Sequence, residues 1–150
     1  MAYEKFEKPV SEFSEKVLQV KRVSKKTKGG NQIHFTALIV SGDKKDRVGV
    51  GLGKAKSVAD AIAKGTKKAQ KSMITVPIIN GTIGSSIKFH FKSATILLRP
   101  GKAGSGIIAG GPVRAVVELG GIKDIVSKII GSKNKSLNVW ATYKALIKLK

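Results

Sequence analysis

The sequence of this 150-residue chain predicts an α+β fold built from two small modules. Strand-like alternation of apolar and polar residues dominates the first third and gives way to one helical pattern. Strand patterns then restart in the middle of the chain, and two further helical patterns follow. We therefore expect a flexible N-terminal segment over residues 1–14, a first module over residues 15–73 and a second module over residues 74–150.

The first module is predicted to contain three strands followed by one helix. The strands are EKVLQVKRVS, QIHFTALIVSG and RVGVGLG, each bounded by residues typical of turns. Glycines in the third strand would let another backbone or a phosphate come close. Ser57 can cap the helix, and Asp60 stands three residues on, as in a capping box. The helix is expected to bury a stripe formed by Val58, Ile62, Gly65, Ala69 and Met73.

The second module is predicted to be a four-stranded sheet with two helices. Asn80-Gly81 between two apolar runs indicates a tight β-hairpin, and the strands IGSSIKFHF and ATILLRP follow it. A glycine-rich loop then leads into a helix that starts near Pro112 and ends at Gly120–Gly121. The segment KDIVSKII fits a strand or a helix. The last segment is predicted to be a helix with Val139, Trp140, Tyr143, Leu146 and Ile147 on one side.

The chain is strongly basic, with 29 Lys and Arg residues against 9 Asp and Glu and a formal net charge of +20. A compact domain with this excess repels itself, and a polyanionic partner relieves that repulsion. An anionic membrane would call for a strong amphipathic basic helix or a lipid anchor, and we find neither an N-terminal myristoylation pattern nor a C-terminal prenylation box. The expected partner is therefore nucleic acid and not a membrane.

Three basic clusters fall within the first module: the loop VSKKTKGGNQ, two lysines before the helix, and four lysines along it. Positive charge at a helix N-terminus opposes the helix dipole, and a bound phosphate would relieve this conflict. Because aromatic residues are scarce, phosphate contacts and RNA shape should dominate over base stacking. The predicted RNA-binding residues are Lys21, Arg22, Lys25, Lys26, Lys28, Gly29, Gly30, Asn31, Lys54, Lys56, Lys64, Lys67, Lys68 and Lys71.

Residues suited to catalysis are sparse. The chain has no cysteine, and both His34 and His90 sit in strand-like alternation without a carboxylate or nucleophile at a telling spacing. The acidic residues show no metal-ligand pattern. We therefore expect no catalytic residue, no metal and no cofactor.

One segment imitates a nucleotide-binding fingerprint. Residues 104–109 read G-x-G-x-x-A, and Asp124 stands twenty residues after Gly104. Asp124 precedes its apolar run, however, whereas the ribose-binding acid of that fingerprint ends a strand. A packing role for these glycines is therefore favoured over a nucleotide-dependent small-molecule kinase that uses Gly104–Gly110, and the kinase stays open as an alternative.

Several motifs together resemble one family. The segments RVSKKTKGGNQIHFTALIVSGDKKDRVGVGLGKAKSVADAI, GSGIIAGGPVRAVVELGGIKDIVSKIIGS and NVWATYKAL are similar to the bacterial family of protein five of the small (30S) ribosomal subunit. The likeness runs from about residue 12 to residue 149. It implies a first module similar to a double-stranded-RNA-binding domain. It also implies a second module of a type shared with kinases and translation factors, which would account for the fingerprint without catalysis.

The resemblance also implies a function. Such a protein is a structural constituent of the small ribosomal subunit in the cytoplasm, where it binds 16S ribosomal RNA and packs against small-subunit proteins four and eight. It lies near the path by which mRNA enters and influences decoding accuracy. By motif, the hairpin from Arg22 to Asn31 reaches into RNA at the junction of head and body. The residues expected to face protein four are Gly104, Ser105, Gly106 and Arg114. A free-standing double-stranded-RNA binder is a further alternative.

Overall fold

The first module is an antiparallel sheet covered on one face by a helix. The computed structural model describes residues 13–149, so the predicted flexible segment lies outside the described residues apart from its last two positions, and Ser14 already begins a strand. The sheet has the order β1-β2-β3-β4. Its elements are β1 (Ser14–Thr27), β2 (Gly30–Gly42), β3 (Arg47–Ala55), α1 (Val58–Lys71) and β4 (Ile74–Thr75). The predicted strand-strand-strand-helix order is confirmed, and β4 extends the sheet past residue 73.

Helix α1 packs unusually close to β3 because alternate residues of that strand are glycines. A Cβ atom at any of them would overlap a carbonyl oxygen of the helix backbone. The facing pairs are Gly49 with Ala69, Gly51 with Gly65, and Gly53 with Ala61. These glycines therefore admit a helix backbone, which decides between the two roles that the sequence allows for them.

The close approach also explains why the predicted buried stripe of α1 is wrong in part. The fully buried residues are Ala61, Gly65 and Ala69, whereas Val58 is 38% exposed and Ile62 only partly buried. Met73 lies beyond the helix. Small residues face the sheet because larger side chains would not fit between backbones packed this closely.

The second module is a four-stranded sheet with the order β7-β8-β10-β9, accompanied by a two-stranded hairpin and two helices. The hairpin of β5 (Ile78–Ile79) and β6 (Thr82–Ile83) turns through Asn80 and Gly81, whose φ angles are 51° and 80°. Both turn residues are thus left-handed, as the sequence predicts. The remaining elements are β7 (Ile87–Phe91), β8 (Ala94–Pro100), β9 (Ile107–Ile108), α2 (Gly111–Leu119), β10 (Ile125–Ile130) and α3 (Lys135–Lys148).

The structure resolves the ambiguous segment KDIVSKII and shows which side of α3 is buried. KDIVSKII contains β10, which pairs antiparallel with β8 and parallel with β9. Of the residues predicted to share one side of α3, Val139 and Leu146 are buried, Ile147 is 38% exposed, and Trp140 and Tyr143 are partly buried. The small residues Ala141, Thr142 and Ala145 complete the buried side instead. Among residues 13–149, no helix is long and apolar enough to cross a bilayer.

The two modules share one hydrophobic core. The face of the first sheet that lies away from α1 contributes Leu38, Val40, Val48 and Val50, which cluster with residues of β8, α2 and α3. The Tyr143 hydroxyl of α3 donates a 2.6 Å hydrogen bond to the Ser72 carbonyl at the end of α1, and burial raises the pKa of Tyr143. The first sheet is therefore sandwiched between α1 and the second module.

The turn between β2 and β3 adds a polar junction between the modules. Asp43 Oδ1 accepts hydrogen bonds from the backbone N–H groups of Lys45, Asp46 and Arg47, and Oδ2 accepts one from Arg47 Nε at 3.1 Å. The organised turn then donates from Lys44 N to the Leu119 carbonyl at 2.9 Å. This single carboxylate therefore shapes a loop on which the end of α2 rests.

Candidate nucleic-acid interface

The end of the β1–β2 hairpin projects beyond the sheet. We define residues 21–33 as the arm; every side chain in it is exposed. The strands stay paired to Thr27↔Gly30, and Lys28 and Gly29 form the turn, with Gly30 at a φ of 121°. The Thr27 hydroxyl closes the turn by donating to the Gly30 carbonyl at 2.8 Å. The predicted residues placed on the arm are Lys21, Arg22, Lys25, Lys26, Lys28, Gly29, Gly30 and Asn31.

A second basic surface forms where β3 ends and α1 begins. Ser57 caps the helix by accepting a hydrogen bond from Asp60 N at 3.3 Å, as predicted from the capping box. The resulting turn brings the strand lysines and the helix lysines to the walls of one groove of about 730 Å³. Its polar lining residues are His34, Lys54, Lys56, Asp60, Lys64 and Lys67, and we call it the lysine groove.

Two of the predicted helix lysines lie outside this groove. The Lys68 ammonium group donates to the Leu52 carbonyl at 3.2 Å, on the edge of β3 that no strand covers at that point. Lys71 is exposed in the last turn of α1. Lys68 is only three residues from the buried Gly65, which places it about 60° from the buried side and not on the far side of the helix. The four lysines of α1 are therefore divided: Lys64 and Lys67 line the groove, whereas Lys68 and Lys71 lie outside it.

The lysine groove is poorly neutralised by the protein itself. Asp60 is the one carboxylate among its lining residues, against four lysines. Within residues 13–149, no carboxylate oxygen lies within 4.0 Å of the ammonium nitrogen of Lys54, Lys56, Lys64 or Lys67. Clustered like charge without counter-charge raises the electrostatic potential of a concave surface and attracts polyanions. The geometry therefore favours binding of phosphate groups here.

The Gly104 loop is separate from both basic surfaces and does not form a phosphate-binding loop. Strand β9 stands between Gly106 and α2, so these glycines do not open the helix. The Gly106 N–H is already bonded to Asp124 Oδ1 at 3.0 Å. Exposed Arg114 donates from Nη2 to the Ile107 carbonyl at 2.7 Å, which ties α2 to the same loop. The fingerprint is therefore a structural turn, with Gly104 and Gly106 at φ angles of 84° and 72°.

His34 lines the groove, although its sequence pattern predicts only an ordinary strand position. It sits in β2 paired with Val23, and it lines the groove because β2 and β3 run side by side next to the start of α1. Alternation in the sequence identifies its strand but not its neighbours, which come from residues 20 or more positions away. No local pattern could have assigned it to this site.

The comparisons with known proteins agree with this fold. The description "Ribosomal protein S5, N-terminal domain" matches residues 13–77, and "Ribosomal protein S5, C-terminal domain" matches residues 89–150. A small ribosomal subunit protein uS5 of Rubrobacter xylanophilus is 48% identical over 140 residues, which cover 93% of this chain and 70% of the relative. The protein of the same name from Chloroflexus aurantiacus is 44% identical over 146 residues, covering 97% of this chain and 82% of the relative.

The α+β fold, its basic surfaces and these matches define a structural ribosomal protein and not an enzyme. Both halves of the chain match the corresponding halves of one protein family, in the same order. The chain belongs to the ribosomal protein S5 family. The family resemblance seen in the sequence motifs is confirmed, and the kinase alternative is set aside.

Proposed function

We propose that the chain is a structural constituent of the small ribosomal subunit that binds 16S ribosomal RNA through the arm and the lysine groove. The observation that carries this proposal is the concentration, on these two surfaces of the first module, of exposed cations that form no ion pair with any carboxylate of residues 13–149. Neutralising phosphates with Lys and Arg releases condensed counterions, which is the main source of sequence-independent affinity for nucleic acid. Family membership supports ribosomal RNA as the polyanion and the cytoplasm as the location.

The individual RNA-binding residues belong to this proposal. On the arm, the side chains of Lys25, Lys26 and Lys28 would contact phosphates, and Gly29 and Gly30 would let RNA approach the turn. In the lysine groove, the two strand lysines and the two helix lysines would contact the backbone from opposite walls. Lys68 and Lys71 would contact RNA beside the groove, along the helix.

A more detailed placement follows from the family. We propose that the arm enters RNA at the junction of head and body, near the path by which mRNA enters, and thereby influences decoding accuracy. The loop at Gly104–Gly106, in which Gly104 and Ser105 are exposed, would together with Arg114 face small-subunit protein four, and protein eight would be a second neighbour. The division into a first module over residues 15–73 and a second over 74–150 likewise stays a prediction.

Replacement of Lys25, Lys26 and Lys28 by alanine tests the RNA contact of the arm. Each phosphate contact contributes about 0.9 to the slope of log K against log salt concentration. We measure binding to small-subunit particles that lack this protein. For the triple variant we expect the slope to become shallower by up to about three times this amount, one for each lost phosphate contact. The measurement is a titration of labelled protein over a range of KCl concentrations. An unchanged slope would remove these lysines from the proposed interface.

A further inference from the structure

The turn between β5 and β6 brings together the groups needed for a spontaneous chemical change. Asn80 is exposed, and its side-chain amide forms no hydrogen bond with residues 13–149. The backbone N–H of Gly81 likewise has no acceptor within that range. Because glycine carries no Cβ, nothing on Gly81 itself shields this nitrogen. The Asn80 amide carbon and the backbone nitrogen that follows it are therefore both free to react.

We infer that Asn80 is a site of deamidation in the folded chain. The Gly81 nitrogen attacks Asn80 Cγ and closes a succinimide ring, while the side-chain nitrogen leaves as ammonia and takes the Gly81 proton with it. Water then opens the ring. Cleavage of the new N–Cγ bond gives aspartate, whereas cleavage of the original peptide bond gives isoaspartate, in which the main chain runs through Cβ and Cγ. The reaction consumes one water and releases one ammonia, and nothing is oxidised or reduced.

Little structure has to open for this attack. Strands β5 and β6 are two residues long and form two pairs, and a hairpin of this size is marginal by itself. The attack needs rotation only at Asn80 and Gly81, so buried Ile83 can stay in the core. The Gly81 carbonyl accepts hydrogen bonds from Lys123 N at 2.8 Å and Asp124 N at 3.0 Å, which restrain the turn. These bonds should slow the reaction relative to an unfolded chain, and each tenfold of slowing corresponds to about 1.4 kcal/mol of opening free energy.

The two products differ in their effect on the turn. Aspartate preserves it, because Asp-Gly favours the same left-handed turn as Asn-Gly. Isoaspartate instead lengthens the main chain by one carbon atom at the tightest point of the hairpin. The Gly81 carbonyl then no longer lies where both of its donors can reach it. We therefore expect isoaspartate to detach the turn from Lys123 and Asp124.

The change would extend from the turn to the loop at residues 101–106. Asp124 Oδ1 accepts a hydrogen bond from Gly106 N at 3.0 Å, and Thr82 Oγ1 accepts one from Gly101 N at 3.1 Å. The hairpin therefore holds one end of this loop directly and the other end through Asp124. Release of Asp124 should loosen the end at Gly106. This loop includes the surface proposed to face another small-subunit protein, so an effect on assembly rests on the proposed function, whereas the reaction itself does not.

Peptide mapping of the full chain tests the modification. Trypsin releases residues 72–88 as one peptide, in which Asn80 is the only side-chain amide. The folded chain and a synthetic peptide of the same sequence would be incubated side by side at mildly alkaline pH. Mass spectrometry would follow the replacement of the amide by a carboxyl group, and a protein isoaspartate methyltransferase would label the isoaspartate form. Exposed Asn31, which is followed by Gln32, is the comparison within the same chain.

We expect Asn80 in the folded chain to convert at no less than about one hundredth of the rate in the free peptide, which corresponds to an opening free energy of at most about 2.8 kcal/mol. Isoaspartate should be among the products, and Asn31 should stay intact. Slower conversion of Asn80 would show that the turn protects it and would overturn the inference. Equal conversion of Asn31 and Asn80 would also contradict it, since the following glycine would then have no effect. These measurements do not involve RNA, so their failure would leave the proposed function untouched.

Hydrogen exchange tests the connection between the turn and the loop. The Gly106 amide should exchange faster after ageing has introduced isoaspartate at residue 80. Asn80→Gly is the matched control, because Gly-Gly favours the same turn and cannot form the succinimide. Ageing should leave the exchange of Gly106 unchanged in that variant. Unchanged exchange in the aged wild-type chain, or equal acceleration in the variant, would refute the connection.

Discussion

Replacement of Gly53 by alanine is expected to lower the free energy of unfolding by about 3 kcal/mol, the upper end of the range for overpacking a well-packed site. The added Cβ would overlap the Ala61 carbonyl oxygen and lie 2.9 Å from the Gly65 Cα. These are backbone atoms, so no change of rotamer can relieve the overlap. The helix would have to move away from β3 as a body, and with it the lysine wall of the groove.

Urea denaturation of the full chain measures this effect, and the affinity for RNA should fall with it. Gly111→Ala is the matched control, since a Cβ there meets nothing within 4 Å and the φ angle is not left-handed. That substitution should change the stability by less than about 1 kcal/mol. Equal stability of the Gly53→Ala variant and the wild type would contradict the close contact between α1 and β3.

Asp43→Asn is expected to destabilise the chain by about 2 kcal/mol at neutral pH, because a charged acceptor of four hydrogen bonds is replaced by a neutral amide. The Asp43 side chain is 5% exposed, and its burial raises the pKa. The three backbone donors and the Arg47 guanidinium outweigh that burial and hold the pKa of Asp43 well below its usual range. Asp46→Asn, at an exposed position in the same turn, is the control and should be nearly neutral.

The effect should depend on pH in one direction. A carboxyl group whose pKa is depressed in the folded state stabilises the fold above the unfolded-state pKa of about 4. That contribution falls as the pH drops from there through the folded-state pKa. The stability difference between wild type and Asp43→Asn should therefore be constant between neutral pH and about 5 and shrink at lower pH. A difference that grows on acidification would contradict the proposed role of the carboxylate.

The sequence predicted the order of elements well because local signals marked them. Turns and helix ends depend on only a few neighbouring residues, and so they can be recognised in the sequence. Examples are the Asn80–Gly81 turn, the Ser57 cap and the glycines at the end of α2. The buried sides of α1 and α3 were less predictable, since they depend on how closely another element approaches. In both helices small residues are buried and a larger apolar residue, Val58 or Ile147, is left exposed.

The two faces of the arm could not be assigned from the sequence. Simple alternation would place Leu18 and Val20 on the same side of β1. The register shift between Val17 and Gln19 separates them instead: Leu18 packs against the shared core, and Val20 pairs with Ala37 on the α1 side. A shift of one residue exchanges every later side chain between faces. The bulge in β1 thus determines on which face each cation of the arm lies, and no turn residue in the sequence marks this bulge.

The basic surfaces were identified by composition, but their arrangement was not. The clustering of lysines before and along α1 predicted a cationic region, and the turn capped by Ser57 makes it concave. The glycines of β3 were compatible with contact to phosphate or to protein, and their partner proved to be the helix backbone. The residue type alone did not show what the β3 glycines contact, because that depends on which element of the fold packs against them.

Sedimentation tests the central claim most directly. A tagged copy of the chain, expressed in bacteria, would be followed through a sucrose gradient that separates ribosomal subunits from free protein. We expect the wild-type chain to sediment with the small subunit, and the Lys25→Ala/Lys26→Ala/Lys28→Ala variant to shift toward the upper fractions as salt is raised. Wild-type chain found only among free proteins would contradict a structural role in the small ribosomal subunit.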